Sequence, residues 1–203
     1  MQKYFIVLFS VLVLVGCKTN YINKTAPETF TARFETTQGN FDVAIKREYS
    51  PKAADRFYAL VKGGYYKNVP FYRVVPNFVV QFGQIDTMQN EAWSKVIVPD
   101  EPVKYGNKKG AISFARSGVN TRACDLFINL KDNNRLDTVD YNGVKGFPAF
   151  GDVVSGMDVV EKLYSGYGDT TMEKEELLAD RELFDKEFPK VDVIKKAYII
   201  AKE

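Results

Sequence analysis

Apolar and polar residues alternate along residues 30–36 and again along 41–46, on either side of Thr37-Gln-Gly-Asn. That is the pattern of a β-hairpin with one face turned to a core. Ser50 followed by Pro51 reads as an N-cap and a first helical residue, and predicts a helix over residues 51–62. Ala54, Phe57 or Tyr58, Leu60 and Val61 give it one buried face, and Gly63-Gly64 ends it. Period two returns at 72–75 and 78–81, with Pro76-Asn77 as the turn between them. Residues 84–107 are polar, carry Pro99 and Pro102, and read as a long loop with at most short structure; Trp93 within it is either packed locally or a binding aromatic. Strand-like runs at 110–115 and 126–130 flank a loop of small and polar residues, and a second polar loop, 131–145, leads to a strand at 146–154. Met157, Val160, Leu163 and Tyr164 stand at helical spacing and predict a helix over 156–164. A charged amphipathic segment follows at 172–188, and the chain closes on a strand at 197–201 whose alternation runs back into 191–194. Many strands, two or three helices and no repeated strand-helix unit predict a mainly β protein, an antiparallel barrel capped by helices.

One stretch departs from this generic pattern: Phe71-Tyr-Arg-Val-Val-Pro-Asn-Phe-Val-Val-Gln-Phe-Gly, ending at Gly83. It places one cation, Arg73, and one long amide, Gln81, among apolar residues. Alternation puts Arg73 and Val75 on one face of the first strand, and Val79 and Gln81 together on the second, leaving Phe78 to the opposite face unless the strand bends. A guanidinium in so apolar a run either faces water from an edge strand or needs a partner or ligand, because burying it unpaired is costly.

Composition narrows the chemistry. With 203 residues, 45% of them hydrophobic and 27% charged, the chain suffices for one domain with a full core. A net charge of +2 with no strong run of one sign gives no electrostatic case for nucleic acid. There is no histidine, which excludes Ser-His-Asp and Cys-His hydrolysis and any imidazole-bound zinc. No phosphate loop or dinucleotide fingerprint is present, so the reading calls for no cofactor and no metal. Lys3, an apolar run from Tyr4 to Val15, and Gly16-Cys17 followed by Lys-Thr-Asn form a secretory signal peptide over residues 1–16. Leu14-Val-Gly-Cys resembles the bacterial lipobox, which implies lipidation of Cys17 and a membrane anchor; ordinary secretion is the alternative. Residues 17–29 then read as a flexible tether and 30–203 as the domain. Cys124 is left as the single mature thiol besides Cys17, so no internal disulfide is expected.

The central stretch resembles the signature of the cyclophilin-type peptidyl-prolyl isomerases, and the similarity continues through Ser50-Pro-Lys-Ala-Ala, Gly110-Ala-Ile-Ser-Phe-Ala-Arg, Leu126-Phe-Ile-Asn, Ala149-Phe-Gly-Asp and Gly156-Met-Asp-Val-Val in the same order. The resemblance implies a closed antiparallel cyclophilin-like β-barrel and rotation about X-Pro bonds without cofactor. It implies Arg73 as the catalytic cation, braced by Gln81. Phe78, Val79, Phe127 and Leu136 would form the proline pocket with Phe114 nearby, while the backbone of Arg116 and the side chain of Asp125 would bind substrate. Without the motif order, Phe127 and Leu136 would read as barrel core. The sequence departs from the family at Tyr72 (usually His), Val79 (often Met), Asp125 (often Gln), Arg135 (often Trp) and Phe147 (often His). Asp125 matters most, since its carboxylate would either quench Arg73 or fix its aim. The expected protein is a monomeric, lipid-anchored isomerase of the cell envelope, periplasm-facing or at the outer membrane, acting on proline-containing polypeptides. The alternatives are a catalytically weak chaperone or scaffold using the same groove, or a structural lipoprotein.

Overall fold

The computed structural model describes residues 23–84 and 87–202. In chain order, a hairpin of β1 (Thr29–Thr36) and β2 (Asn40–Lys46) leads to helix α1 (Pro51–Lys62). The short strands β3 (Val69–Pro70), β4 (Arg73–Val75) and β5 (Val79–Phe82) follow, then helix α2 (Thr87–Ser94), β6 (Ala111–Phe114) and β7 (Leu126–Asn129). A 3-10 turn (Asn134–Asp137) and a small separate hairpin of β8 (Asp140–Tyr141) and β9 (Val144–Lys145) precede β10 (Ala149–Ser155). The chain ends with α3 (Met157–Glu161), a 3-10 segment (Thr170–Ala179), α4 (Arg181–Glu187) and β11 (Val193–Lys202).

Nine strands form one sheet in the order β3-β11-β1-β2-β10-β6-β7-β5-β4. Every paired ladder in it is antiparallel. The sheet curls into the expected barrel, with one departure from closure: its two edge strands, β3 and β4, are successive in the chain, and Phe71-Tyr72 spans the seam between them. Phe30, Phe34, Phe41, Phe57, Tyr66, Phe71, Phe82 and Phe150 fill the interior, all buried. Phe34 stacks on Phe41 at 4.8 Å, and Phe57 of α1 meets Phe150 at 5.5 Å. Each such ring stabilises the fold by about 1.5–3 kcal/mol on burial, so this aromatic interior is the main source of stability.

Several local expectations change. Ser50 starts α1 but its side chain does not cap it. The Glu101 carboxylate does so instead, accepting from Lys52 N at 2.9 Å and Ala53 N at 3.2 Å, while Ser50 Oγ donates to the same group. The 84–107 loop contains helix α2, so four α-helices are present among the described residues rather than two or three. Trp93 is packed locally, 6.4 Å from Tyr65 and beneath the Arg56 guanidinium at 5.4 Å. Helix α3 stops at Glu161, short of Tyr164, and the amphipathic 172–188 segment is a 3-10 turn joined to a short helix. The packed body begins before β1: Ala26 is buried and its N–H donates to Asp55 Oδ1 of α1 at 2.8 Å. Among the described residues no helix is long and apolar enough to cross a membrane.

Candidate active site

Strand register assembles the site. Arg73 of β4 pairs with Gln81 of β5, and Gln81 with Phe127 of β7, so three strands present Arg73, Gln81 and Phe127 as one row across the outer face of the sheet. Their neighbours Val74, Val80, Leu126 and Ile128 alternate inward and are buried. Phe78 is not part of β5. It closes the turn, with Phe78 N donating to Val75 O at 3.0 Å after Asn77 at φ 58°, which frees it from strand alternation and lets it join Val79 at the groove.

Arg73 Nη1 donates to Gln81 Oε1 at 3.0 Å, and Nε donates to Asp169 Oδ1 at 2.6 Å. The guanidinium carbon lies 5.6 Å from the centre of the Phe78 ring, and the side chain keeps 22% of its surface exposed. Gln81 Nε2 donates to Asp125 Oδ2 at 2.6 Å, and the Tyr72 hydroxyl donates to the same oxygen at 2.8 Å. Asp125 therefore braces the amide that holds the arginine, while Arg73 itself bonds to Gln81 and Asp169.

In front of this row lies a groove of about 1540 Å³ lined by Arg73, Phe78, Val79, Gln81, Phe127 and Leu136, with Phe147 opposite. Phe127 and Phe147 meet edge to face at 5.8 Å. A buried amide network sets the loops that carry this wall. Asn133 Nδ2 donates to Phe78 O at 2.9 Å and Asn129 Oδ1 at 2.8 Å; Asn129 Nδ2 donates to Asn107 Oδ1 at 3.2 Å; Asn107 Nδ2 donates to Phe147 O at 2.8 Å. Each member satisfies the next, so the amide side chains themselves hold the pocket loops together. Such a groove can desolvate a small ring beside a fixed cation, and that is its chemical capability.

Arg116 and Asp125 both line the groove. The Arg116 guanidinium lies 4.1 Å over the Phe147 ring and donates Nη2 to Val144 O at 3.0 Å, pinning the β8-β9 hairpin, and burial pushes its pKa down. Arg135 stands exposed at the rim. Phe114 is a correction: it pairs with Leu126 in register, is buried, stacks on Phe150 at 5.4 Å and does not line the groove. Ser113 takes the outward position in β6, opposite Phe127, and its hydroxyl donates to Pro148 O at 2.9 Å. Burial pushes the Cys124 thiol up to about 12, which makes it inert at neutral pH. Cys17 and its lipidation lie outside the described residues.

The sequence reading missed the residues brought by the C-terminal segment: Asp169 on Arg73, and Met172, Leu178 and Ala179 along the groove. Tyr72 is buried among them, in a second small core with Leu178, Phe184 and Phe188.

The site is thus an arginine-glutamine row beside an aromatic pocket, carried on the outer face of a curled antiparallel barrel. The family model for cyclophilin type peptidyl-prolyl cis-trans isomerase matches residues 31–186, and the chain belongs to this family. A peptidyl-prolyl cis-trans isomerase of Acinetobacter baylyi is 33% identical over 131 residues, covering 64% of this chain and 69% of the relative. Peptidyl-prolyl cis-trans isomerase A of Dickeya dadantii is 33% identical over 132 residues, covering 63% of this chain and 67% of the relative. In fold, the chain is similar to a cyclophilin type peptidyl-prolyl cis-trans isomerase of Cryptosporidium parvum, with a TM-score of 0.61 at 23% identity over 86% of this chain and 99% of that one. That protein was also solved in the presence of the dipeptide Ala-Pro. The chain is a peptidyl-prolyl cis-trans isomerase.

Proposed function

We propose that Arg73 is the catalytic cation of this isomerase and that its substrates are extended X-Pro segments of proteins folding outside the cytoplasm. Rotation about an X-Pro bond meets a barrier of about 18–20 kcal/mol because the nitrogen lone pair is shared with the carbonyl. A donor aimed at the prolyl nitrogen draws that pair out of resonance, and does so most strongly when the bond is twisted. Arg73 suits this role because a guanidinium presents a rigid planar fork of donors, and Phe78, Val79, Phe127 and Leu136 offer its substrate an apolar hollow alongside. Lowering the barrier by about 7 kcal/mol speeds exchange roughly 10⁵-fold.

The observation carrying this reading is the state of the guanidinium. Nε and Nη1 are engaged by Asp169 and Gln81, and among the described residues Nη2 has no hydrogen-bond partner while Arg73 lines the groove. The Ala-Pro dipeptide present with the Cryptosporidium structure supports a proline ring as the occupant. Uncatalysed isomerisation takes tens of seconds, slow enough to limit folding, which gives an isomerase attached outside the cytoplasm through Cys17 a use. A protease-coupled assay on an X-Pro tetrapeptide tests the catalytic role: Arg73→Ala is expected to lose about 10²–10³-fold in kcat/KM with peptide binding retained. Equal rates for the two proteins would refute it, and peptide binding by NMR without faster exchange in the unaltered protein would favour a scaffold instead.

A further inference from the structure

We infer that Asp169 is a positioning residue for Arg73, and that residues 164–192 form a second wall of the groove that holds the guanidinium on target; this rests on the catalytic role of Arg73 proposed above. An arginine head sits on a long stem with many rotamers. A single hydrogen bond to Gln81 leaves it free to swing about that contact, whereas a second anchor on a different nitrogen fixes the plane. Asp169 supplies that anchor on Nε at 2.6 Å while Gln81 holds Nη1 at 3.0 Å. Donors fixed before the reaction need no reorganisation during it, which is where such a group acts on rate.

The carboxylate is mounted, and its mounting is shared with the arginine. Gly168 forms an antiparallel bridge to Val74, the residue after Arg73, and takes a left-handed φ of 52° that turns the chain toward the groove. Tyr167, two residues before Asp169, packs on Tyr164 at 5.0 Å and on Phe188 at 5.1 Å, and Phe188 packs on Phe184 at 5.1 Å. Tyr72, the residue before Arg73, is buried in this same cluster. Cation and anion thus ride on one small core. Asp192 ties its base, accepting from Tyr164 N at 2.7 Å and through its other oxygen from Gln38 Nε2 at 2.9 Å. Past the carboxylate, Met172 N donates to Asp169 O at 2.9 Å, and Met172 and Leu178 line the groove itself.

An anion beside the catalytic cation also weakens its pull on the prolyl lone pair. Asp169 is 62% exposed and touches the nitrogen that Gln81 does not hold, so water screens that opposing effect while the orienting effect stays. The net contribution is to turnover rather than to substrate affinity.

The test compares the unaltered protein with Asp169→Ala, Asp169→Glu, Arg73→Ala and the Asp169→Ala, Arg73→Ala double variant on one X-Pro peptide, with kcat and KM separated by NMR exchange measurements and thermal unfolding as a fold control. Asp169→Ala is expected to lower kcat about tenfold with KM within about twofold, Asp169→Glu to recover most of the loss, and the double variant to match Arg73→Ala alone. A normal kcat in Asp169→Ala beside an impaired Arg73→Ala overturns the positioning role and leaves the catalytic one standing. A change confined to KM overturns it as well. Full activity of Arg73→Ala removes the reading on which it depends.

Discussion

At the scale of single residues, two departures from the family pattern turn out to be one. Tyr72 and Asp125 replace residues that are usually His and Gln, and in the structure the Tyr72 hydroxyl and the Gln81 amide both donate to Asp125 Oδ2, at 2.8 and 2.6 Å. A carboxylate only accepts, so it selects the NH₂ end of Gln81 and leaves the carbonyl end for Arg73. A neutral amide at position 125 would allow either end to face it. The sequence posed Asp125 as a choice between quenching the cation and aiming it; in the structure Asp125 bonds to Gln81, and Gln81 in turn accepts from Arg73. Gln81→Ala and Asp125→Ala are each expected to reduce kcat/KM by about tenfold, with the double variant no worse than the more impaired single, because both remove the same brace. Additive losses in that double-mutant cycle would mean the two residues act separately. Arg73 and Gln81 were legible because polar groups at period two in an apolar run are rare. Asp169 was not: it lies 96 positions from Arg73, and no local pattern records which loop a barrel brings across its face.

Elements show the same division between what is local and what is folded together. Strands with clean alternation, such as β1 and β2, were readable, and so was the proline-started helix α1. Helix α2 was not, because Thr87-Met-Gln-Asn-Glu-Ala-Trp-Ser carries no apolar stripe at helical spacing, and Phe114 was placed at the groove although alternation with Ser113 sends it inward. The cap of α1 was assigned to the adjacent serine, whereas a loop glutamate 51 positions on supplies it. That glutamate ties three segments: it caps α1, and it accepts from Arg122 Nη2 at 3.1 Å, whose side chain is only 1% exposed. Losing an N-cap alone costs about 1 kcal/mol. Stranding a buried guanidinium costs about 3–5 kcal/mol. Glu101→Ala is therefore expected to destabilise the protein by roughly 3 kcal/mol or more in urea unfolding, since Pro99 O and Asp100 remain near Arg122 as partial substitutes. A loss near 1 kcal/mol would assign Glu101 to capping only.

On the scale of the whole molecule, the question is how an isomerase body would work from a membrane. Ala26 is fastened to the body through its bond to Asp55, and Arg47 reinforces that corner by pairing with Asp55 at 2.8 Å and Glu28 at 3.3 Å. If Cys17 carries the lipid, as proposed, the anchor stands nine positions before Ala26 in the sequence. The groove residues all come from 73 onward, far along the sequence from Cys17. The two functions should then separate cleanly. Cys17→Ser, expressed with its native leader in a bacterial host, is expected to leave the membrane fraction while keeping the unaltered protein's kcat/KM on a short X-Pro peptide and its melting temperature. The unaltered protein should be extracted from membranes by detergent and not by high salt, because acyl chains hold through apolar burial rather than charge. An unaltered protein that salt alone releases, or a Cys17→Ser protein that stays with the membrane after its leader has been removed, would place the attachment in the folded body, at exposed apolar residues such as Val154, Leu183 and Ile200.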